Sequence, residues 1–220
     1  MHWGNRHRIC KKETQGNADA QNGSGETSYE AQIWKEEVAS LLDRIKAKDA
    51  EYYGEIASEY EKWVSRVPFM AEKMSEAYKD GSSIYSTIYA YNEAMRYKRE
   101  AYALASTLAD LMDEVDFTFP DSTRCGFYGD YEGSSYLTIS EGMERGTYDI
   151  VIHIDDTKEL RGWGEVEDAP DSDTYLLFTS DDGTVKGYVS HSVLEASFYV
   201  TETDYSVVGP EGAYSFSFKY

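Results

Sequence analysis

Cysteine is nearly absent from this chain: Cys10 and Cys125 are the two thiols in 220 residues. That excludes a disulfide-dense scaffold and a cysteine-rich zinc site. Basic residues are outnumbered, 21 Lys and Arg against 41 Asp and Glu, leaving a formal charge of -20. Such a surface repels phosphate backbones and anionic headgroups, so nucleic acid and a bare membrane surface are excluded as partners and a basic one is favoured. No apolar run approaches the roughly 18 to 20 residues of a spanning helix, and the stretch before Cys10 lacks the apolar core of a secretory signal. The four histidines, His2, His7, His153 and His191, have no second histidine three or four residues away to share a metal.

Aromatic residues are plentiful: 20 Tyr, 8 Phe and 4 Trp make up 15% of the chain. These rings supply the apolar area that offsets chain entropy, so the bulk of this acidic sequence folds. Residues 11–28 are the exception, with no large apolar side chain and many Gly, Ser, Asn and Gln. Composition assigns residues 1–28 to a disordered head and flexible tether.

From Tyr29 the apolar period is helical. Ile33, Trp34, Val38, Leu41, Leu42 and Ile45 share one face, and Tyr53, Ile56, Tyr60, Trp63, Val64 and Val67 continue the pattern in a second run. Pro68 predicts a kink or break, because proline removes a backbone donor and disfavours helical geometry at the residue before it. Asp80-Gly81-Ser82-Ser83 is a stop and restart, after which Ile84 to Val115 reads as a last long helix. Residues 29–116 therefore form an antiparallel helical bundle. Residues 117–220 change to a period of two, with short strands separated by Gly and Asp clusters. Seven or eight strands imply a small antiparallel β-barrel or half-barrel, so the fold class is α+β.

Chemistry is harder to find. Cys125 has no nearby histidine to act as its base. The acidic stretches at Asp155-Asp156 and Glu165 to Asp173 lack the alternating ligands and closing Glu of a calcium loop. Gly126, Gly129, Gly133, Gly142 and Gly146 punctuate strands and open no helix, which excludes a phosphate cradle. The expectation is a non-enzymatic protein without cofactor or metal. Trp34, Tyr53, Tyr60, Trp63 and Tyr78 lie at helical spacing and read as core, whereas Tyr85, Tyr89 and Tyr97 are candidates for an exposed aromatic surface.

Trp63, the turn at Gly81 and Ser82, and Arg99 in the following helix together resemble the helical domain of the LprI-type lysozyme-inhibitor family. That family's paired cysteines are missing here, as is the Thr that commonly precedes its Arg. Each mark also has a structural reading: Trp63 fills a helix interface, Gly81 permits chain reversal, and Arg99 hydrogen-bonds carbonyls of that turn. A second likeness is Glu132-Gly133-Ser134-Ser135-Tyr136, similar to the Ser-Gly-x-x-Tyr loop of small-barrel lysozyme inhibitors, with Glu132 in place of the Ser. It is a candidate partner-binding loop. Cys10 ahead of a polar spacer has the layout of a mature bacterial lipoprotein, although His7-Arg8-Ile9 is not the small apolar set that lipoprotein processing needs.

Charge, spacer and resemblance together lead to the expectation of an extracytoplasmic binding protein, secreted or lipid-anchored, acting on a basic enzyme such as lysozyme. The rival expectation is an envelope interaction module that recognises a peptide, glycan or protein without inhibiting it.

Overall fold

The computed structural model describes residues 19–79, 84–113, 117–120, 124–130, 133–168, 174–192, 195–210, 212–216 and 218–219. Side chains are described from residue 29 onward, except at 167, 168, 174, 218 and 219. Three helices come first: α1 Asp19–Lys48, α2 Ala50–Ser75 and α3 Tyr85–Met112. Nine strands follow: β1 Gly126–Gly129, β2 Tyr136–Glu141, β3 Thr147–Asp155, β4 Lys158–Asp168, β5 Thr174–Ser180, β6 Lys186–His191, β7 Ala196–Glu202, β8 Ala213–Phe216 and β9 Phe218–Lys219. No described helix is long and apolar enough to cross a membrane.

Helix α1 begins at Asp19, ten residues ahead of Tyr29, inside the segment that composition assigned to a tether. Extending an existing helix adds one hydrogen bond for each residue fixed, so a core-anchored helix can propagate into a sequence that would not nucleate one. Asp49 separates α1 from α2 and caps the latter, its carboxylate accepting from the Glu51 and Tyr52 amides at 3.1 and 2.9 Å. Of the kink or break expected at Pro68, the break is absent, since α2 runs through it to Ser75. Pro68 is exposed, while Trp63, Val67, Met70, Ala71 and Met74 bury a continuous stripe on the other side. Burial at about 1.5–3 kcal/mol for each large side chain outweighs the roughly 3 kcal/mol cost of an interior proline. Contacts of Ser75 with Asn92 and of Trp63 with Tyr97 make α2 and α3 antiparallel. Trp63 fills this seam, stacked on Tyr60 at 5.7 Å and edge-on to Tyr97 at 5.3 Å. Tyr97, expected as a surface ring, is core instead.

The same seam carries an ionisable strain. Burial, and then the nearby charge of Glu59, pushes the half-buried Glu100 carboxyl up from its ordinary value of 4.5 to about 7. Its folded-state pKa lies above its unfolded one, so the folded state holds the proton longer. Stability falls as pH rises from about 4.5 to about 7 and stays lower above that. Glu100→Gln is expected to flatten this slope and to stabilise the protein by about 2 kcal/mol at pH 8, read as urea midpoints at pH 5 and pH 8. An unchanged slope would remove Glu100 as its cause.

The strands form one antiparallel sheet in the order β8-β7-β6-β5-β4-β3-β2-β1-β9, a simple meander. Since β8 and β9 are separated by a single residue, the C-terminal segment pairs with β7 at one edge and with β1 at the other. That pairing brings the two edges together in an eight-segment, nearly closed barrel, which protects edges that would otherwise template aggregation. Its interior is filled by Leu137, Ile139, Ile150, Ile152, Leu176, Phe178, Val189, Phe198 and Phe216, all at most 1% exposed. The helices share a second core with the outer face of the first strands, where Phe127, Tyr136 and Val151 join Trp63, Val67 and Met70. Helical layer and barrel are thus packed together along α2, β1 and β2.

Candidate functional site

Along β1 to β3 the outer face of the barrel is occupied by the helices. Phe69 of α2 meets Phe127 at 6.2 Å and Tyr136 at 5.7 Å, and Phe127 stacks on Tyr136 at 5.1 Å. Tyr136 stacks in turn on His153 at 4.6 Å. Glu159 ties this seam together, accepting from Arg161 Nε at 2.8 Å and the Tyr136 hydroxyl at 3.4 Å, with His153 Nδ1 at 3.1 Å. An ionised carboxylate only accepts, so the Nδ1 of His153 carries the proton. Burial alone would raise the Glu159 pKa, but hydrogen bonds from Arg161 and His153 hold it below its usual range. Arg161 also reaches Glu76, after α2, at 3.4 Å.

Gly133, Ser134, Ser135 and Tyr136 of the candidate partner loop lie beside this seam. Asp130 accepts from the amides of Gly133, Ser134 and Ser135 and from both serine hydroxyls. Burial would raise its pKa, yet the serine hydroxyls and amides lower it overall. Gly133 has φ +79°, and a Cβ there would meet the Arg66 guanidinium at 2.5 Å. Tyr136 is 3% exposed. Gly133, Ser134 and Ser135 are thus tied to Asp130, and the Tyr136 ring is core. Glu132, Gly81, Ser82 and Cys10 lie outside the described residues. Arg99 is 7% exposed and its guanidinium carbon sits 6.0 Å from the centre of the Phe119 ring. Of the marks taken from sequence, Trp63, Arg99 and Tyr136 are therefore buried.

Sequence inspection did not single out the outer face of β4 to β7. Register places Glu165, Leu177, Tyr188, Tyr199 and Ala213 side by side across five strands. The Tyr188 and Tyr199 rings stack at 4.8 Å, and Tyr175 stands edge-on to Tyr188 at 5.3 Å. These three tyrosines are half-buried, Leu177 is 44% exposed and Trp163, in the next row, is 42% exposed. Hydroxyls border the rings, with Ser197 and Ser215 Oγ atoms 3.1 Å apart. At the end of the face is an open depression of about 270 Å³ lined by Tyr175, Ser190, His191, Glu195 and Tyr199, among others. The parity of Leu176, Val189 and Phe198, which point inward, was the available signal: their neighbours Tyr175, Tyr188 and Tyr199 must point out.

Acidic side chains surround the face. Glu165 and Asp181 are exposed, and burial, then the charge of Asp181, raises the Asp149 pKa. From Phe117 onward there are 6 basic and 20 acidic residues, so this part carries -14 of the chain's -20. Among the described residues, no group of three or more His, Cys, Asp or Glu is placed to hold a metal ion. The surface offers flat aromatic area, hydroxyls and negative charge, which are means of recognition. Comparison of the chain with known protein families, with curated proteins and with solved structures finds no match, so the LprI-type resemblance stands on its residues alone.

Proposed function

We propose that this protein is a non-enzymatic binding module that docks a cationic protein surface onto the outer face of β4 to β7. The carrying observation is the row Leu177, Tyr188 and Tyr199, with Tyr175 and Trp163 beside it, left accessible on a barrel whose interior is filled. Rings already stacked on one another lose little further freedom when a partner covers them. Charge supplies the partner's sign: a field of -14 over the barrel half steers a basic protein toward this face. Lysozyme is the first target to test, because the resemblance of Trp63 and Arg99 implies it. Action outside the cytoplasm, secreted or anchored through Cys10, belongs to the same reading and rests on the layout of residues 10–28.

The test is binding of the full chain to lysozyme across a salt series, with a second basic protein of similar charge as control. Selective binding that persists at physiological salt, with loss of muramidase activity, supports the inhibitor form. Equal binding to both proteins that vanishes with salt would reduce the interaction to charge alone and defeat this reading. A glycan is the second reading, favoured by the serines beside the tyrosine faces. Saturable binding of peptidoglycan fragments, without binding of either protein, would select it.

A further inference from the structure

Beside the row of stacked tyrosines the sheet surface steps down. Register sets Ser190 of β6 against Ser197 of β7, and Ser197 against Ser215 of β8, one outward row away from Tyr188 and Tyr199. Small side chains next to large rings leave a hollow, and the open depression of about 270 Å³ lies there, with Ser190 and Ser197 next to Tyr175 and Tyr199. The turn from β6 to β7 completes the lining with His191, Ser192 and Glu195. Backbone groups hold that turn in place: the Ser192 amide donates to the Glu195 carbonyl at 2.7 Å, and the Glu195 amide donates to Ser192 Oγ at 3.0 Å. Charge around the hollow is of one sign. From residue 174 to residue 216 the chain has six Asp and Glu against one basic residue, Lys186, which Glu202 engages at 2.8 Å. No Lys or Arg is among the described residues that line the depression, where Glu195 is exposed.

We propose that this depression receives a single cationic side chain of the basic partner, a lysine ammonium or an arginine guanidinium, an inference that rests on the docking role of the β4 to β7 face. Such a head group carries donors and no acceptor. The hydroxyls of Ser190, Ser192 and Ser197 can accept from it, and the Glu195 carboxylate adds the opposite charge. Its aliphatic stem can lie along Tyr175 and Tyr199 while the head stays at the open, hydrated side. A neutral sugar would satisfy the serines but leave Glu195 without a counter-charge, and an anion would be repelled. Because the turn that carries Glu195 is already hydrogen-bonded, little further ordering opposes the contact.

Titration of the full chain with Nα-acetyl-lysine amide and Nα-acetyl-arginine amide, followed through backbone amide resonances, tests the site. Nα-acetyl-norleucine amide, which keeps the stem and lacks the charge, and N-acetylglucosamine are the comparisons, all at equal ionic strength. Saturable shifts at Ser190, His191, Ser192, Glu195 and Ser197 are expected with the cationic probes alone, and the tighter of the two tells ammonium from guanidinium. Glu195→Gln keeps the backbone bonds of the turn and should bind about fivefold more weakly, the loss expected for one exposed charge-assisted contact. Asp156→Asn, the same change of charge at an exposed position in the turn between β3 and β4, should bind like the wild type. Equal shifts with norleucine, binding of the sugar alone, or equal losses in the two variants would overturn the proposal. Shifts at these amides without lysozyme binding would uphold the depression and remove lysozyme as the partner. Lysozyme binding that needs Tyr188 and Tyr199, with these amides silent toward both cationic probes, would uphold the face and refute the depression.

Discussion

Gly187→Ala is expected to cost more than about 3 kcal/mol and to disrupt the barrel, although it adds a single methyl group. A Cβ at Gly187 would collide with the Tyr199 carbonyl oxygen and lie 2.7 Å from the Phe198 ring. Gly162 has the same relation to the Thr179 carbonyl and the Phe178 ring. Phe178 and Phe198 meet edge-to-face at 5.2 Å in the barrel core, so each glycine gives room to one of a pair of rings. Neither the carbonyl nor the packed ring can move without breaking sheet pairing or core contact. Gly209→Ala, where a Cβ meets nothing within 4 Å, is the control and should stay within about 0.5 kcal/mol of the wild type. Urea midpoints measure both, and equal midpoints would contradict the packing described.

Phe127→Ala should cost about 3–5 kcal/mol, since the ring is fully buried. It also carries a particular signature. Phe127 belongs to β1 but packs in the helical core, against Phe69 and Tyr136. Its loss is expected to destabilise helices and barrel in one transition, so far-UV and near-UV circular dichroism should shift together. If the helical signal melts separately while the barrel keeps its wild-type midpoint, the shared core is not what joins them.

Much of this architecture is legible in the sequence, because two different apolar periods mark helices and strands. Val38, Leu41 and Ile45 fall at helical spacing and are buried, and inward Val189 alternates with outward Tyr188. What periodicity cannot convey is which surface covers which. Phe127 and Tyr136 read as ordinary strand aromatics, and only the tertiary arrangement turns them toward α2. Pro68 does not break α2 because its local cost is smaller than the burial of the stripe around it. The start of α1 was obscured by composition that would not begin a helix but can extend one. Tyr175, Tyr188 and Tyr199 become one surface only once strand register is known. The burial of Arg96 in α3 gave no signal at all: among the exposed charges typical of helices, nothing in the sequence distinguishes a buried arginine from a solvated one.

The most direct test of the recognition surface compares wild type with Tyr188→Ser combined with Tyr199→Ser in binding to immobilised lysozyme at physiological salt. Both positions are half-buried on the outer face, so the variant should stay folded with a similar Tm. At least tenfold weaker binding, carried mainly by faster dissociation, is expected if the stacked rings are the anchors. Binding that equals the wild type's, from a variant that is folded, would contradict the assignment of recognition to this face.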